Sequence, residues 1–242
     1  MPPSRSLKPS SRLQAVVFDM DGVIVDSHPA HRFAWREFLR ILGTQVTESE
    51  LDFVMDGGKR EEILVHFLGP LNEVQLKEYG RMKDDLFWQA ASEVVPIPGV
   101  LNFIERLERA GIKIAVATSA SAGRTQSILG RMRLLSRFQA VVTGDQVRKG
   151  KPDPGIYLLA CQRIDCPPNS VVAVEDAASG IRAAKSAGLR CIGIAGCGSG
   201  ERLTAAGADG VLHDFLNMSL QSLYSLVGMQ PQRTRAYESG DI

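Results

Sequence analysis

Apolar residues in this chain fall into short unbroken runs, separated by stretches in which they recur every three or four positions. Ala15 to Phe18 is such a run, Val-rich and closed by the polar Asp19-Met20-Asp21-Gly22. It does not alternate, so it predicts a strand buried on both faces, as in a parallel sheet. Ile112 to Ala117, Ala140 to Val142, Val171 to Val174 and Cys191 to Ile194 repeat the pattern, each after a stretch of helical spacing. In one of those stretches Val100, Leu101, Ile104 and Leu107 line a single face, with Pro98 at the entry and Gly111 as the stop. Ala183 to Ala187 stands before Gly188 in the same way. Repeated βαβ units predict an α/β fold, a Rossmann-like doubly wound parallel sheet whose ligands bind beyond the carboxyl ends of its strands.

Residues 19–111 separate the first of these strands from the second, far more chain than a crossover needs. Trp35, Phe38, Leu39 and Leu42 form a helical stripe ended by Gly43, Thr47-x-x-Glu50 has the form of a capping box, and helical spacing continues from Glu61 to Leu68 and Glu73 to Ala91. The expected organisation is therefore a small α-helical cap domain over residues 27–94, inserted into an α/β core domain of residues 13–26 and 95–225. Residues 1–12 are expected to form a flexible N-terminus, and 226–242 a loose polar tail.

Composition narrows the function classes. With 44% hydrophobic and 23% charged residues and a formal net charge of +1, the 242-residue chain offers no global attraction for nucleic acid or an anionic membrane. A small molecule is the expected partner. Cys161, Cys166, Cys191 and Cys197 form no C-x-x-C pair, so reduced structural thiols are expected rather than zinc or disulfides. No run approaches membrane-spanning length. A cytoplasmic protein is expected, with a monomer as the working assembly.

The candidate chemistry stands at the strand ends. Asp19 and Asp21 follow the first strand, where one carboxylate can attack phosphorus while its neighbour gives and takes protons. Carboxylates attacking a phosphate need a divalent cation among them, and Glu175-Asp176 at another strand end offers hard oxygen ligands for Mg²⁺. Thr118-Ser119 and Lys151 supply a hydroxyl and an ammonium for the phosphoryl oxygens. Taken singly, each acidic pair also reads as a turn or cap, Thr118 as a helix N-cap and Lys151 as a solvated loop lysine. In the inserted segment His28, His31, Gly57, Gly58, Lys59, Arg60 and Lys83 are candidates for substrate recognition. The Gly57 to Arg60 loop also reads as a plain turn followed by solvated charges, and His31, placed opposite the Trp35 side of its helix, as a hinge histidine.

The segments FDMDGVIVDS (18–27), VATSAS (116–121), KGKPDPGIY (149–157) and VEDAASGIRAAKSAG (174–188) together resemble the haloacid dehalogenase (HAD) superfamily, in the branch with a helical cap after the first strand. The resemblance runs from about Gln14 to Leu216. It implies Asp19 as nucleophile, Asp21 as general acid and base, and Thr118 and Lys151 as phosphate binders. It also implies Mg²⁺ held by Asp19, the Asp21 main-chain carbonyl and Asp176, with Glu175 assisting. The superfamily's true dehalogenases lack the second aspartate, so Asp21 points to a phosphorus substrate. Within the branch the chain is similar to β-phosphoglucomutase and the sugar phosphatases grouped with it, through His31, Arg60 and Lys83. It departs from the mutases' Ser-x-Ser-x-Asn, having Thr118-Ser119-Ala120-Ser121-Ala122. The expected activity is hydrolysis of a small phosphorylated metabolite such as a sugar phosphate, with the β-phosphoglucomutase reaction, an isomerisation, as the alternative.

Overall fold

A computed structural model describes residues 12–196 and 200–231. In chain order its strands are β1 (Ala15–Phe18), β2 (Val25–Asp26), β3 (Val95–Pro96), β4 (Lys113–Thr118), β5 (Ala140–Thr143), β6 (Val171–Glu175), β7 (Arg190–Ile194) and β8 (Gly210–Leu212). Helices α1 (His28–Ile41), α2 (Glu48–Val54), α3 (Arg60–Leu68) and α4 (Glu73–Gln89) lie between β2 and β3. Beyond β3 come α5 (Val100–Arg109), α6 (Ala122–Arg131), α7 (Gly155–Arg163), α8 (Ala178–Ser186), α9 (Gly200–Ala205) and α10 (Leu220–Val227).

The expected parallel sheet is present, in the order β5-β4-β1-β6-β7-β8. β1 lies in its interior, with Phe18 in register with Val116 on one side and Val174 on the other. Its residues read as a continuous apolar run because both faces are covered. Val16, Phe18, Val116 and Val174 pack with Phe103, Ile104 and Leu107 of α5, whereas Ala15, Val17, Ala115 and Ala173 pack with Ile156, Tyr157 and Ala160 of α7. Each large aliphatic side chain buried this way contributes roughly 1.5–3 kcal/mol.

Two features exceed the sequence expectation. β8 forms a sixth strand at the sheet edge, too short and too exposed for an apolar run to mark it. β2 and β3 pair antiparallel, Asp26 opposite Val95, so that the two connections to the helical insert run side by side. That insert has its own core of Trp35, Phe38, Leu39, Leu51, Val54, Ile63 and Leu64. The capping box at Thr47 and Glu50 is formed, and a second, unforeseen one joins Asn72 and Gln75. His31 is not opposite Trp35. Four residues make about one helical turn, so both sit on the buried face of α1, 8% and 2% exposed.

The loose tail expected from residue 226 does not begin there. α10 runs through Val227, Met229 is buried, and Leu13 N donates to Gln230 O at 3.0 Å. The expectations for residues 1–11, for 232–242 and for Cys197 lie outside the described residues. Cys161, Cys166 and Cys191 are buried free thiols. No helix among the described residues is long and apolar enough to cross a membrane.

Candidate active site

The sheet delivers its polar residues to one edge. Asp19 N donates to Val174 O at 2.9 Å, extending the β1–β6 ladder by one residue and bringing the Asp19 side chain beside the ends of β4 and β6. The chain then turns at Gly22, with φ of +71°. A Cβ there would lie 1.9 Å from Asp176 Oδ2 and 2.8 Å from His28 Nε2, so only glycine lets this turn approach Asp176.

Lys151 Nζ is the hub of the cluster. It donates to Asp19 Oδ1 at 2.7 Å, to Glu175 Oε1 at 2.5 Å and to Ala117 O at 3.3 Å. Tyr157 Oη also donates to Glu175 Oε1, at 2.5 Å, and Glu175 Oε2 accepts from Asp176 N and Ala177 N. Burial alone would favour neutral Lys151, but Asp19 and Glu175 outweigh it and raise its pKa.

Asp19, Glu175 and Asp176 each offer a carboxylate oxygen, and these atoms lie within 4.8 Å of one another. Burial, reinforced by Glu175, Asp176 and Asp21, pushes Asp19 well above the usual carboxylate range despite Lys151. A buried trio of hard oxygen donors carrying excess negative charge fits a divalent cation such as Mg²⁺, and Gly22 keeps open the space that a side chain would take from Asp176. His28 Nε2 stands 2.8 Å from Asp176 Oδ2. Burial works against its charge, but the bond to Asp176 prevails and lifts it to about 9.

Asp21 turns away from the trio. Ser27 Oγ donates to its Oδ1 at 2.6 Å and Arg124 Nη2 to its Oδ2 at 2.8 Å, while His31 Nε2 stands 3.5 Å from Oδ1. Burial would raise Asp21, but the Arg124 charge and the bonds from His31 and Ser27 hold it well below the usual range. Thr118 is the last residue of β4 and is not a helix cap. Its Oγ1 accepts from Ala120 N at 3.1 Å, and Ser121 caps α6. Ser119 Oγ donates to Gly57 O at 2.8 Å, tying the core to the insert rather than standing open to a ligand. Lys59 Nζ donates to Val147 O at 3.1 Å.

On the insert side Lys83, 3% exposed, places Nζ 3.0 Å from His31 Nδ1 and over the Trp35 and Phe87 rings. Burial first, then the Arg124 charge, lowers Lys83 to about 7, and burial with Lys83 and Arg124 holds His31 well below its usual value. Arg60 is bound within the insert, to Asp84 Oδ2 at 2.6 Å, Glu61 Oε1 at 3.1 Å and Gly80 O at 3.4 Å. All the expected site residues nevertheless line one cleft, together with Ser121, Arg124 and Asp145. Sequence reasoning missed Arg124, Tyr157 and Ser27. Ser27 closes the first motif and was within reach of that pattern. Arg124 carried no local signal, since a basic residue in a helix's first turn reads as solvent-facing.

Residues 16–194 match the family model for haloacid dehalogenase-like hydrolase. A phosphorylated carbohydrates phosphatase of Thermotoga maritima is 35% identical over 199 residues, 81% of this chain and 92% of that protein. The β-phosphoglucomutase of Bacillus subtilis is 30% identical over 221 residues, 88% and 94% of the two chains. The crystal structure of a β-phosphoglucomutase from Clostridium difficile superposes with a TM-score of 0.81, covering 89% of this chain and 97% of its own; at 21% identity it speaks for the fold. The chain belongs to the haloacid dehalogenase-like hydrolase family and is an enzyme of its phosphatase and phosphotransferase kind.

Proposed function

We propose that the protein hydrolyses a small phosphorylated metabolite, a sugar phosphate, through an aspartyl-phosphate intermediate on Asp19. The observation that carries this reading is the meeting of Asp19, Lys151, Glu175 and Asp176 at the carboxyl edge of the sheet, with Asp21 lining the same cleft. A carboxylate oxygen of Asp19 attacks phosphorus, the ester P–O bond breaks, and the leaving oxygen takes a proton from Asp21. Water then attacks the aspartyl phosphate, gives its proton to Asp21, and the P–O bond to Asp19 breaks to release phosphate.

Thr118 and Lys151 hold the phosphoryl oxygens, joined by Ser119 when its hydroxyl leaves Gly57 O. Asp19, the Asp21 main-chain carbonyl and Asp176 would hold Mg²⁺, with Glu175 assisting, and the bound cation supplies charge neutralisation between Asp19 and the phosphate. Residues 27–94 act as a cap that closes over the core, 13–26 and 95–225, and excludes water from the reacting centre. His31 and Lys83 face the substrate from that cap, and Arg60 borders the same cleft while bound to Asp84, Glu61 and Gly80 O. The buried thiols Cys161, Cys166 and Cys191 suit a reducing compartment, and we place the enzyme in the cytoplasm as a monomer.

The β-phosphoglucomutase reaction is the second reading, favoured by the contact of His31 with Lys83 and disfavoured by Ala122 where the mutases resemble one another in carrying asparagine. Phosphate release from a panel of sugar phosphates, nucleotides and phosphoglycolate, with Mg²⁺ and with EDTA, tests the proposal. Fast release that EDTA abolishes is expected. Conversion of β-glucose 1-phosphate to glucose 6-phosphate without release would transfer the case to the mutase.

A further inference from the structure

Lys151, the proposed phosphate binder, follows directly on a loop, residues 147–150, that the insert grips at both ends. Lys59 Nζ donates to Val147 O at 3.1 Å, and Gly150 N donates to Glu62 Oε1 at 3.2 Å. Apart from Asp153 N, which donates to Gly150 O at 3.0 Å, the core holds this loop loosely. Val147 N reaches Gly144 O only at 3.5 Å, and among the described residues Arg148 and Lys149 make no hydrogen bond.

Glu62 is placed to reach across. It is the third residue of α3, where the helix N-terminus favours a negative charge, and its Oε2 accepts from Lys59 N at 3.2 Å. That bond fixes the side chain and leaves Oε1 for Gly150. A Cβ on Gly150 would lie 2.5 Å from Lys59 Cγ and 2.9 Å from Glu62 Oε2, so the first turn of α3 packs flat on the loop backbone. Elsewhere the insert docks differently: Ser119 and Ser179 bond the backbone of Gly57 and Asp56 and leave residues 147–150 untouched. Glu62 is not among the residues that line the cleft, so any effect it has on the chemistry passes through another group.

Lys151 is the group within reach. Its Nζ is shared among Asp19 Oδ1, Glu175 Oε1 and Ala117 O at 2.7, 2.5 and 3.3 Å. A lysine ammonium is a point charge on a flexible stem, so the backbone beneath it decides where it can point. Misplacing a catalytic group by about 1 Å costs up to about 10²-fold in rate.

We propose that Glu62 is a positioning residue of the phosphoryl-transfer centre: with Lys59 it fixes residues 147–150, and through them the Lys151 ammonium, when the insert docks. The inference rests on the reading of Asp19 as nucleophile and Lys151 as phosphate binder. It puts the last step in assembling the site on a carboxylate of the insert that touches no substrate, so an undocked insert leaves the nucleophile without a correctly aimed cation.

The test measures kcat and KM on the best substrate of the phosphate-release panel for wild type, Glu62→Ala, Glu62→Gln and Ser179→Ala. Glu62→Ala should lower kcat by about ten-fold, the worth of one hydrogen bond to a charged group. Glu62→Gln keeps an acceptor for Gly150 N and should bring kcat back to within about three-fold of wild type. Ser179→Ala loosens docking without touching residues 147–150 and should act on KM alone. Hydrogen exchange in substrate-free protein reads the loop itself: amides of residues 147–151 should exchange about ten-fold faster in Glu62→Ala, with those of β4 at the wild-type rate.

A Glu62→Ala kcat within about two-fold of wild type, with any change confined to KM, makes Glu62 a docking contact and overturns the proposal, while wild-type turnover leaves the Asp19 chemistry standing. A fall in kcat that Glu62→Gln does not relieve overturns it too, as does unchanged exchange at residues 147–151. A wild type that releases no phosphate from any substrate removes the underlying reading, and this inference with it.

Discussion

At 6% exposure, Asp19 sits between one ammonium and three carboxylates, where a change of charge without change of volume is most informative. Asp19→Asn keeps the shape and removes the proposed nucleophile. Turnover should fall by more than about 10³-fold while the circular dichroism spectrum stays unchanged. Residual activity within ten-fold of wild type would sink the nucleophile assignment. His28 gives a test by pH in metal-free protein. Its folded pKa of about 9 lies above the ordinary 6.5, so its stabilising contact with Asp176 is complete below pH 6.5 and lost as pH rises through about 9. The gap in melting temperature between wild type and His28→Gln should therefore close across that window; a gap that persists above pH 10 would contradict the linkage. Asp19, Lys151 and the Glu175-Asp176 pair were legible in the sequence because each is tied to a strand end that the apolar runs mark. Arg124 was not, because its partner Asp21 lies 103 residues away in the chain and only the folded helix brings them together.

Elements were legible to the extent that burial made them uniform. β1, β4 and β6 are covered on both faces and announce themselves as apolar runs, although pairing carries β4 and β6 one polar residue further, to Thr118 and Glu175. Those extra residues are the ones that line the cleft. β8 escaped notice because Gly210, Val211 and Leu212 are each only half-buried, and what places them is a polar clamp rather than a hydrophobic run. Asp209 accepts from Cys191 N at 2.7 Å, from Lys185 Nζ at 2.6 Å and from Arg190 Nη1 at 2.9 Å, and its own N donates to Cys191 O. It thereby joins α8, β7 and the start of β8. Burial would raise its pKa, yet the Lys185 bond, the Cys191 N–H and Arg190 lower it. Asp209→Asn should cost about 1–2 kcal/mol in a denaturant titration at neutral pH. A depressed carboxylate contributes fully above its unfolded pKa of about 4, so the difference from wild type should shrink as pH falls below that value. A difference that is absent at pH 7, or unchanged down to pH 2, would show that the clamp stabilises nothing.

For the molecule as a whole, the question is what holds the helical insert against the core. Besides the α1 contacts of His28 and His31 with the core, hydrogen bonds gather around one loop. Ser119 Oγ bonds Gly57 O, Ser179 Oγ bonds Asp56 O, Lys59 Nζ bonds Val147 O, and Gly150 N donates to Glu62 Oε1. Gly57, at φ +80°, is needed there, since a Cβ would come within 3.1 Å of Ser179 Oγ and 3.2 Å of Ala177 Cβ. The loop therefore bonds to three separate core segments, yet it is connected to the sheet only through the short β2–β3 ribbon, an arrangement that can open by a hinge and close on a few hydrogen bonds. The division into insert and core could be read from chain length, but this docking could not, because it uses backbone acceptors that no side-chain pattern reports. Ser179 does not line the cleft, so Ser179→Ala weakens closure without touching the reacting groups. Losing a bond worth roughly 1 kcal/mol shifts the open and closed populations about five-fold. KM should rise by up to that factor with kcat little changed, and trypsin should cut at Lys59 correspondingly faster. If both KM and the cleavage rate stay at wild-type values, the loop is not what closes the cleft, and closure must rest on the substrate's own contacts with the insert.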